Sequence, residues 1–115
     1  MFKKLRTVIY HTDDLQKAKE WYINITGVQP YFDESFYVGF DIDGFELGLD
    51  PDPNGKRKGN QSVAFWAVDD IEASMKKLVE GGAVIEGAVR DVGDGIKVAV
   101  VNDPFGNSVG LIEGA

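Results

Sequence analysis

The sequence predicts an α+β protein built from two tandem β-α-β-β-β modules, and three observations carry that prediction. Thr7-Val8-Ile9-Tyr10-His11-Thr12-Asp13-Asp14-Leu15 runs in step with Val63-Ala64-Phe65-Trp66-Ala67-Val68-Asp69-Asp70-Ile71, each an apolar strand that stops at paired acids. A one-sided helical stripe follows each pair, and strand-like stretches joined by turn residues follow each stripe. At 115 residues the chain is the size of one domain, divided into module one (1–50), a linker (51–61) and module two (62–115).

Taken in order, Asp13 with Gln16 and Asp69 with Glu72 have capping-box spacing, so each helix is expected to start just after the first Asp of its pair. The first helix aligns Leu15, Ala18, Tyr22 and Ile25 and ends at Gly27; the second aligns Ile71, Met75, Leu78 and Val79 and ends at Gly81-Gly82. Strands are expected near 28–32, 36–42 and 45–49, the last two joined by Asp43-Gly44, a two-residue hairpin signal. In the second module they are expected near 83–89, 96–101 and 108–112, with Gly93-Asp94-Gly95 and Asp103-Pro104-Phe105-Gly106-Asn107 as turns. Residues 51–60, rich in Pro, Gly and Lys, read as an exposed linker.

Composition excludes several classes of function. With 43% hydrophobic and 27% charged residues the chain is ordinary globular material rather than a disordered segment. No apolar run approaches the roughly 20 residues of a membrane span, and the start runs into a strand pattern rather than a signal segment, so a cytoplasmic location is expected. The lack of cysteine rules out disulfides and thiolate metal sites. A net charge of -7 argues against nucleic acid and anionic membrane as partners, while leaving room for a cationic ligand.

The two-residue turn pairs Ile42 with Phe45, which puts Val38, Phe40, Ile42, Phe45, Leu47 and Leu49 on one face, expected to meet the helix. Tyr37, Gly39, Asp41, Glu46 and Gly48 take the other, with Asp41 opposite Glu46, a like-charge pair that invites a cation or metal. In the leading strands Thr7, Ile9 and His11 share one side and Val8 and Tyr10 the other; Val63, Phe65 and Ala67 likewise oppose Ala64, Trp66 and Val68. Composition leaves open which side meets the helix.

The segment Asp103-Pro104-Phe105-Gly106-Asn107-Ser108-Val109-Gly110-Leu111-Ile112-Glu113 resembles the closing-strand signature of the vicinal oxygen chelate superfamily, which includes glyoxalase I, bleomycin-resistance proteins and extradiol dioxygenases. Asp14-Leu15 leading to Trp21-Tyr22 and Gly27 resembles the family's first helix, and Val68-Asp69-Asp70 its second, so the resemblance spans nearly the whole chain. It implies a cupped mixed sheet with helices on the outer face and one cleft enclosed by the two modules. It also implies that Thr7, Glu46, Val63 and Gly110 face inward at the family's four metal-ligand positions, with Glu46 equivalent to Gly110.

A divalent ion needs several converging lone-pair donors, and of these four only Glu46 supplies a strong one. The resemblance is therefore nearest the metal-free bleomycin-resistance branch, which implies no metal, no cofactor and a small organic ligand, a cation among the candidates, held for sequestration or resistance. The candidate ligand-binding residues are Thr7, Ile9, His11, Tyr37, Asp41, Glu46, Val63, Phe65, Phe105 and Gly110, with Phe105 at the rim. The competing reading is a lyase or isomerase with Glu46 as general base, with or without a divalent metal recruited through Asp41 and Glu46. The resemblance also implies a homodimer.

Overall fold

A computed structural model describes residue 3 and residues 5–51 and 63–114. The chain forms two compact units, residues 1–59 and 60–115. The first contains β1 (Thr7–Thr12), α1 (Leu15–Thr26), β2 (Phe32–Glu34), β3 (Tyr37–Ile42) and β4 (Phe45–Pro51), in a mixed sheet ordered β1-β4-β3-β2. The second contains β5 (Ala64–Ala67), α2 (Ile71–Glu80), β6 (Val84–Gly93), β7 (Ile96–Asn102) and β8 (Ser108–Glu113), ordered β5-β8-β7-β6. In each, the leading strand lies parallel to the last and the remaining pairs are antiparallel. This is the expected α+β architecture of two β-α-β-β-β modules. No described helix is long and apolar enough to cross a membrane.

The helices obey local capping chemistry, one residue later than expected. Asp14 and Asp70, the second acid of each pair, take extended backbone geometry, and their carboxylates accept from Lys17 N (3.0 Å) and Ala73 N (3.1 Å). An N-cap satisfies the amide three residues on, and the Asp spacing fits either choice; the buried Thr12 decides the first case, its hydroxyl bonding both N (3.0 Å) and O (3.1 Å) of Asp14. Gly27, at φ 72, closes α1 in the left-handed conformation that a side chain disfavours.

Tight turns then set the sheet register. Asp43 (φ 53) and Gly44 (φ 91) both take positive φ, as a two-residue hairpin turn that matches strand twist requires, and they pair Ile42 with Phe45 as expected. Val38, Phe40, Leu47 and Leu49 are at most 2% exposed. Burying each such side chain contributes about 1.5–3 kcal/mol, so this face holds the core of the unit. At the hairpin end the expectation fails: Phe45 is 41% exposed.

Tyr10 resolves the question the sequence left open. It is fully buried, and its ring lies 6.0 Å from that of Tyr22 on α1, so the Tyr10 side of β1 faces the helix and Thr7, Ile9 and His11 share the helix-free face. In the second unit Ile71, Met75 and Leu78 are buried on α2, but Val79 is 42% exposed, one step round the helix from the stripe.

Several strand bounds differ from expectation, and β6 runs to Gly93 rather than to 89, into the first residue of the expected turn. The stretch 28–31 carries no strand, and β2 is only the three exposed residues Phe32–Glu34, an edge strand paired with β3. β4 continues through Pro51, because β1 extends its pairing partner to Thr12. Residues 52–61 of the expected linker lie outside the described residues.

Candidate functional site

Glu46 is the hub of the helix-free face of the first unit. The parallel register sets it beside Thr7 and the antiparallel register beside Asp41, so strands on both sides deliver groups to one carboxylate. Thr7 Oγ1 donates to Oε1 at 2.9 Å, the Tyr37 hydroxyl donates to the same oxygen at 3.1 Å, and the Tyr31 hydroxyl donates to Oε2. Arg6 Nη1 donates to Thr7 Oγ1 at 3.1 Å and lies 3.8 Å from Oε1. Both carboxylate oxygens are thus engaged by hydroxyl groups.

Two glycines make room for this cluster. A Cβ on Gly48 would fall 1.9 Å from the Tyr37 hydroxyl oxygen, and one on Gly39 would fall 2.7 Å from Glu46 Oε2 and 3.2 Å from the Tyr31 ring. Neither glycine has a positive φ, so their role here is space rather than backbone freedom. A pocket of about 240 Å³ opens at the hairpin end, lined by Arg6, Tyr31, Asp41, Gly44, Phe45 and Glu46. Asp41 Oδ1 accepts from Gly44 N at 2.8 Å, which ties that carboxylate to the turn.

The hydrogen bonds polarise the titration of the group. The bond from Tyr31, followed by those from Thr7 and Tyr37 and the nearby Arg6 charge, pulls the Glu46 carboxyl below its ordinary value, against the opposing effect of burial. Tyr37 is pushed up to about 12, first by burial and then by its bond to Glu46, and Tyr31 is raised by its bond to the same carboxylate. Near neutral pH the cluster is therefore one anion held by protonated hydroxyls.

Register also bears on which positions of the two units correspond. Thr7 and Val63 each stand six residues before the first Asp of their pairs, so Ile9 corresponds to Phe65. Ile9 partners Gly48 in β4, and Phe65 partners Gly110 in β8. Both glycines sit in a buried triplet, Leu47-Gly48-Leu49 and Val109-Gly110-Leu111. Gly48, not Glu46, therefore corresponds to Gly110, and Glu46 corresponds to Ser108; the expected superposition is two residues out.

The sequence pattern of the glyoxalase/bleomycin resistance protein/dioxygenase superfamily matches residues 4–111. The chain belongs to that superfamily. Over 96% of its length it resembles a family enzyme from Burkholderia phytofirmans (17% identity, 98% of that chain, TM-score 0.81). It likewise resembles the fosfomycin resistance protein FosX of Listeria monocytogenes (14% identity, 100% of this chain and 96% of that one, TM-score 0.80). A lactoylglutathione lyase from Agrobacterium tumefaciens shares 20% identity over 96% of this chain and 93% of that one, with a TM-score of 0.76. At such identities these neighbours establish the fold. Over 63 residues, 53% of the chain, it is 35% identical to CFP32 of Mycobacterium tuberculosis, which carries a provisional glyoxylase name; the match spans 24% of that protein, about a quarter of its length.

Many superfamily members hold a catalytic divalent metal, and the donor set here does not fit one. With the register corrected, the four equivalent positions are Thr7, Gly48, Val63 and Gly110, which carry neither carboxylate nor imidazole. The Thr7 hydroxyl is committed to Glu46, whose two oxygens already accept three O–H donors, two on Oε1 and one on Oε2. Elsewhere, Asp70, Glu72 and Glu113 bring carboxylate oxygens within 4.8 Å of one another. Their roles at the start of α2 account for them: Asp70 caps the helix, Glu113 Oε1 accepts from Ile71 N at 2.9 Å, and Glu72 lies 3.8 Å from Lys97 Nζ.

The other sequence-derived residues divide by unit. Thr7, Tyr37 and Glu46 converge, with Asp41 on the adjoining pocket wall. Ile9 is 43% exposed one inward position along β1. His11 is four residues from Thr7, roughly 13 Å along the strand, and its Nε2 lies 3.6 Å from Asp50 Oδ2. In the second unit Val63 (38%) and Phe65 (47%) are exposed, and the Phe65 ring covers Gly110, whose Cβ would fall 2.6 Å from ring carbon Cδ2. Phe105 is half-buried in a turn organised by the buried Asp103, whose Oδ1 accepts from Phe105 N (2.9 Å) and Asn107 N (2.8 Å). Sequence reasoning missed Arg6 and Tyr31. Arg6 precedes β1 and Tyr31 precedes β2, and the one available signal was Tyr31 standing next to the strand that opposes Gly39.

Proposed function

We propose that this protein binds a small organic molecule on the helix-free face of its first module, without a resident metal, in a sequestration or resistance role. The observation that supports this best is the state of Glu46: an ionised carboxylate anchored by three hydroxyls, beside an open pocket whose walls carry two aromatic rings, two carboxylates and the Arg6 guanidinium. Asp41, Glu46, Tyr31 and Phe45 suit an aromatic cation, through charge complementarity and cation–π contact. The name of the FosX neighbour is consistent with resistance as one use of the fold.

The lyase or isomerase reading needs Glu46 as a base. A carboxyl held below its ordinary value, with both oxygens already accepting hydrogen bonds, is a poor proton acceptor near neutral pH. Binding therefore takes precedence over turnover.

Fluorescence titration with 1-naphthylmethylammonium tests the proposal. Saturable one-to-one binding is expected, weakened roughly fivefold by Glu46→Gln, since a partly exposed charge partner contributes about 1 kcal/mol. Phe45→Ala should weaken it similarly. Unchanged affinity in both variants, or no saturable binding, contradicts the proposal.

A further inference from the structure

The direction of the hydroxyl protons around Glu46 has a consequence for selectivity. An ionised carboxylate can only accept hydrogen bonds, so the protons of Thr7, Tyr31 and Tyr37 all point at it. Each phenol oxygen then turns lone pairs, and no proton, toward its surroundings. Thr7 is fixed at both ends, because its oxygen accepts from Arg6 while its proton goes to Glu46. Within the 240 Å³ pocket, the Tyr31 oxygen and the carboxylates of Asp41 and Glu46 are acceptors. The Gly44 amide is already engaged by Asp41, which leaves the Arg6 guanidinium as the donor on that wall.

We infer that the pocket selects hydrogen-bond donors rather than positive charge alone: its ligand presents an N–H edge, of the amidine, guanidine or amino-heterocycle type, to the Tyr31 oxygen and the Asp41 carboxylate. Phe45, 41% exposed on the pocket wall, supplies an apolar face for the ring that bears this edge. Glu46 acts here as a positioning residue: it holds the phenols so that they offer oxygen and not hydrogen. The inference rests on the binding reading of the same site and narrows its ligand class.

Three probes separate direction from charge: benzamidinium, a cation with an N–H edge; benzyltrimethylammonium, a cation with none; and benzoate, an acceptor-only anion. Their affinities are read from amide shifts of Gly39, Gly44 and Gly48 in NMR titrations. Benzamidinium is expected to bind about fivefold or more tightly than benzyltrimethylammonium, with benzoate weakest, the margin set by one well-made hydrogen bond. Tyr31→Phe should remove about that factor for benzamidinium while leaving the quaternary cation as tight or tighter, because the change uncovers the Glu46 charge. Tyr31 is 60% exposed, so this variant is not expected to disturb the core. Equal affinity for the two cations, preference for benzoate, or an equal loss for both cations in Tyr31→Phe overturns the inference while leaving binding intact. Failure of all three probes to shift these amides overturns the inference and the binding proposal together.

Discussion

Phe40→Ala is expected to lower the free energy of unfolding by about 3–5 kcal/mol, the cost of an unfilled cavity where a large aromatic was enclosed. Phe40 is fully buried in the middle of β3, paired with Leu47 and sharing the helix side of the sheet with Val38 and Leu49. Small domains are stable by only about 5–15 kcal/mol, so the loss is a large share of the total. Asp41, the next residue, points to the opposite face and is exposed, and Asp41→Ala should change stability by less than about 1 kcal/mol. Chemical denaturation of both variants checks the pair. Similar losses would mean that the two faces of β3 are not divided into core and site.

Gly48→Ala is expected to do the reverse, with a large effect on the site and a small one on stability. The new methyl would occupy a point 1.9 Å from the Tyr37 hydroxyl oxygen and 2.6 Å from Cζ, so the ring must leave Glu46. Those atoms are the far end of a side chain, which can swing away while the backbone stays in place.

The consequence can be read from pH. In the parent protein Tyr37 titrates near 12 rather than the ordinary 10.0, so the folded state keeps this proton longer than the unfolded state does. Its contribution to stability is intact below about pH 10 and is lost as pH rises toward about 12. Glu46 has the opposite sign: its folded value is depressed, so its contribution is present above the ordinary carboxylate range and is lost as pH falls through the folded value. Gly48→Ala should return the late phenol to an ordinary titration by ultraviolet absorbance, and weaken binding of an amidinium probe. An unchanged titration would show that Tyr37 is not held over Gly48.

The elements legible in the sequence are those fixed by local chemistry. Asp43-Gly44 allows one kind of two-residue turn, and that turn alone sets the pairing of Asp41 with Glu46. The Asp pairs mark where the helices begin, although the spacing does not say which acid caps, and the buried Thr12 settles that for α1 only in three dimensions. Parallel pairing is different, because no turn connects β1 to β4 or β5 to β8. Their register depends on how the intervening helix packs, which is why Glu46 was matched with Gly110 when Gly48 holds that place.

The same difference governs the site. Glu46, Thr7 and Tyr37 were legible because strand alternation puts them on one face. Arg6 and Tyr31 were not, since both precede strands and reach Glu46 only through the folded path of the chain. His11 shared the favoured face with Thr7 but lies four residues along it, next to Asp50. A shared face is therefore necessary for membership of the site and does not establish it.

We propose that Glu46 is an anchor held by hydroxyl groups and not a ligand of a resident metal ion. Calorimetric titration of chelator-treated protein with zinc or nickel, repeated on Glu46→Gln, tests it most directly. No stoichiometric heat that depends on Glu46 is expected. One equivalent of tightly bound ion, lost in Glu46→Gln, would contradict it.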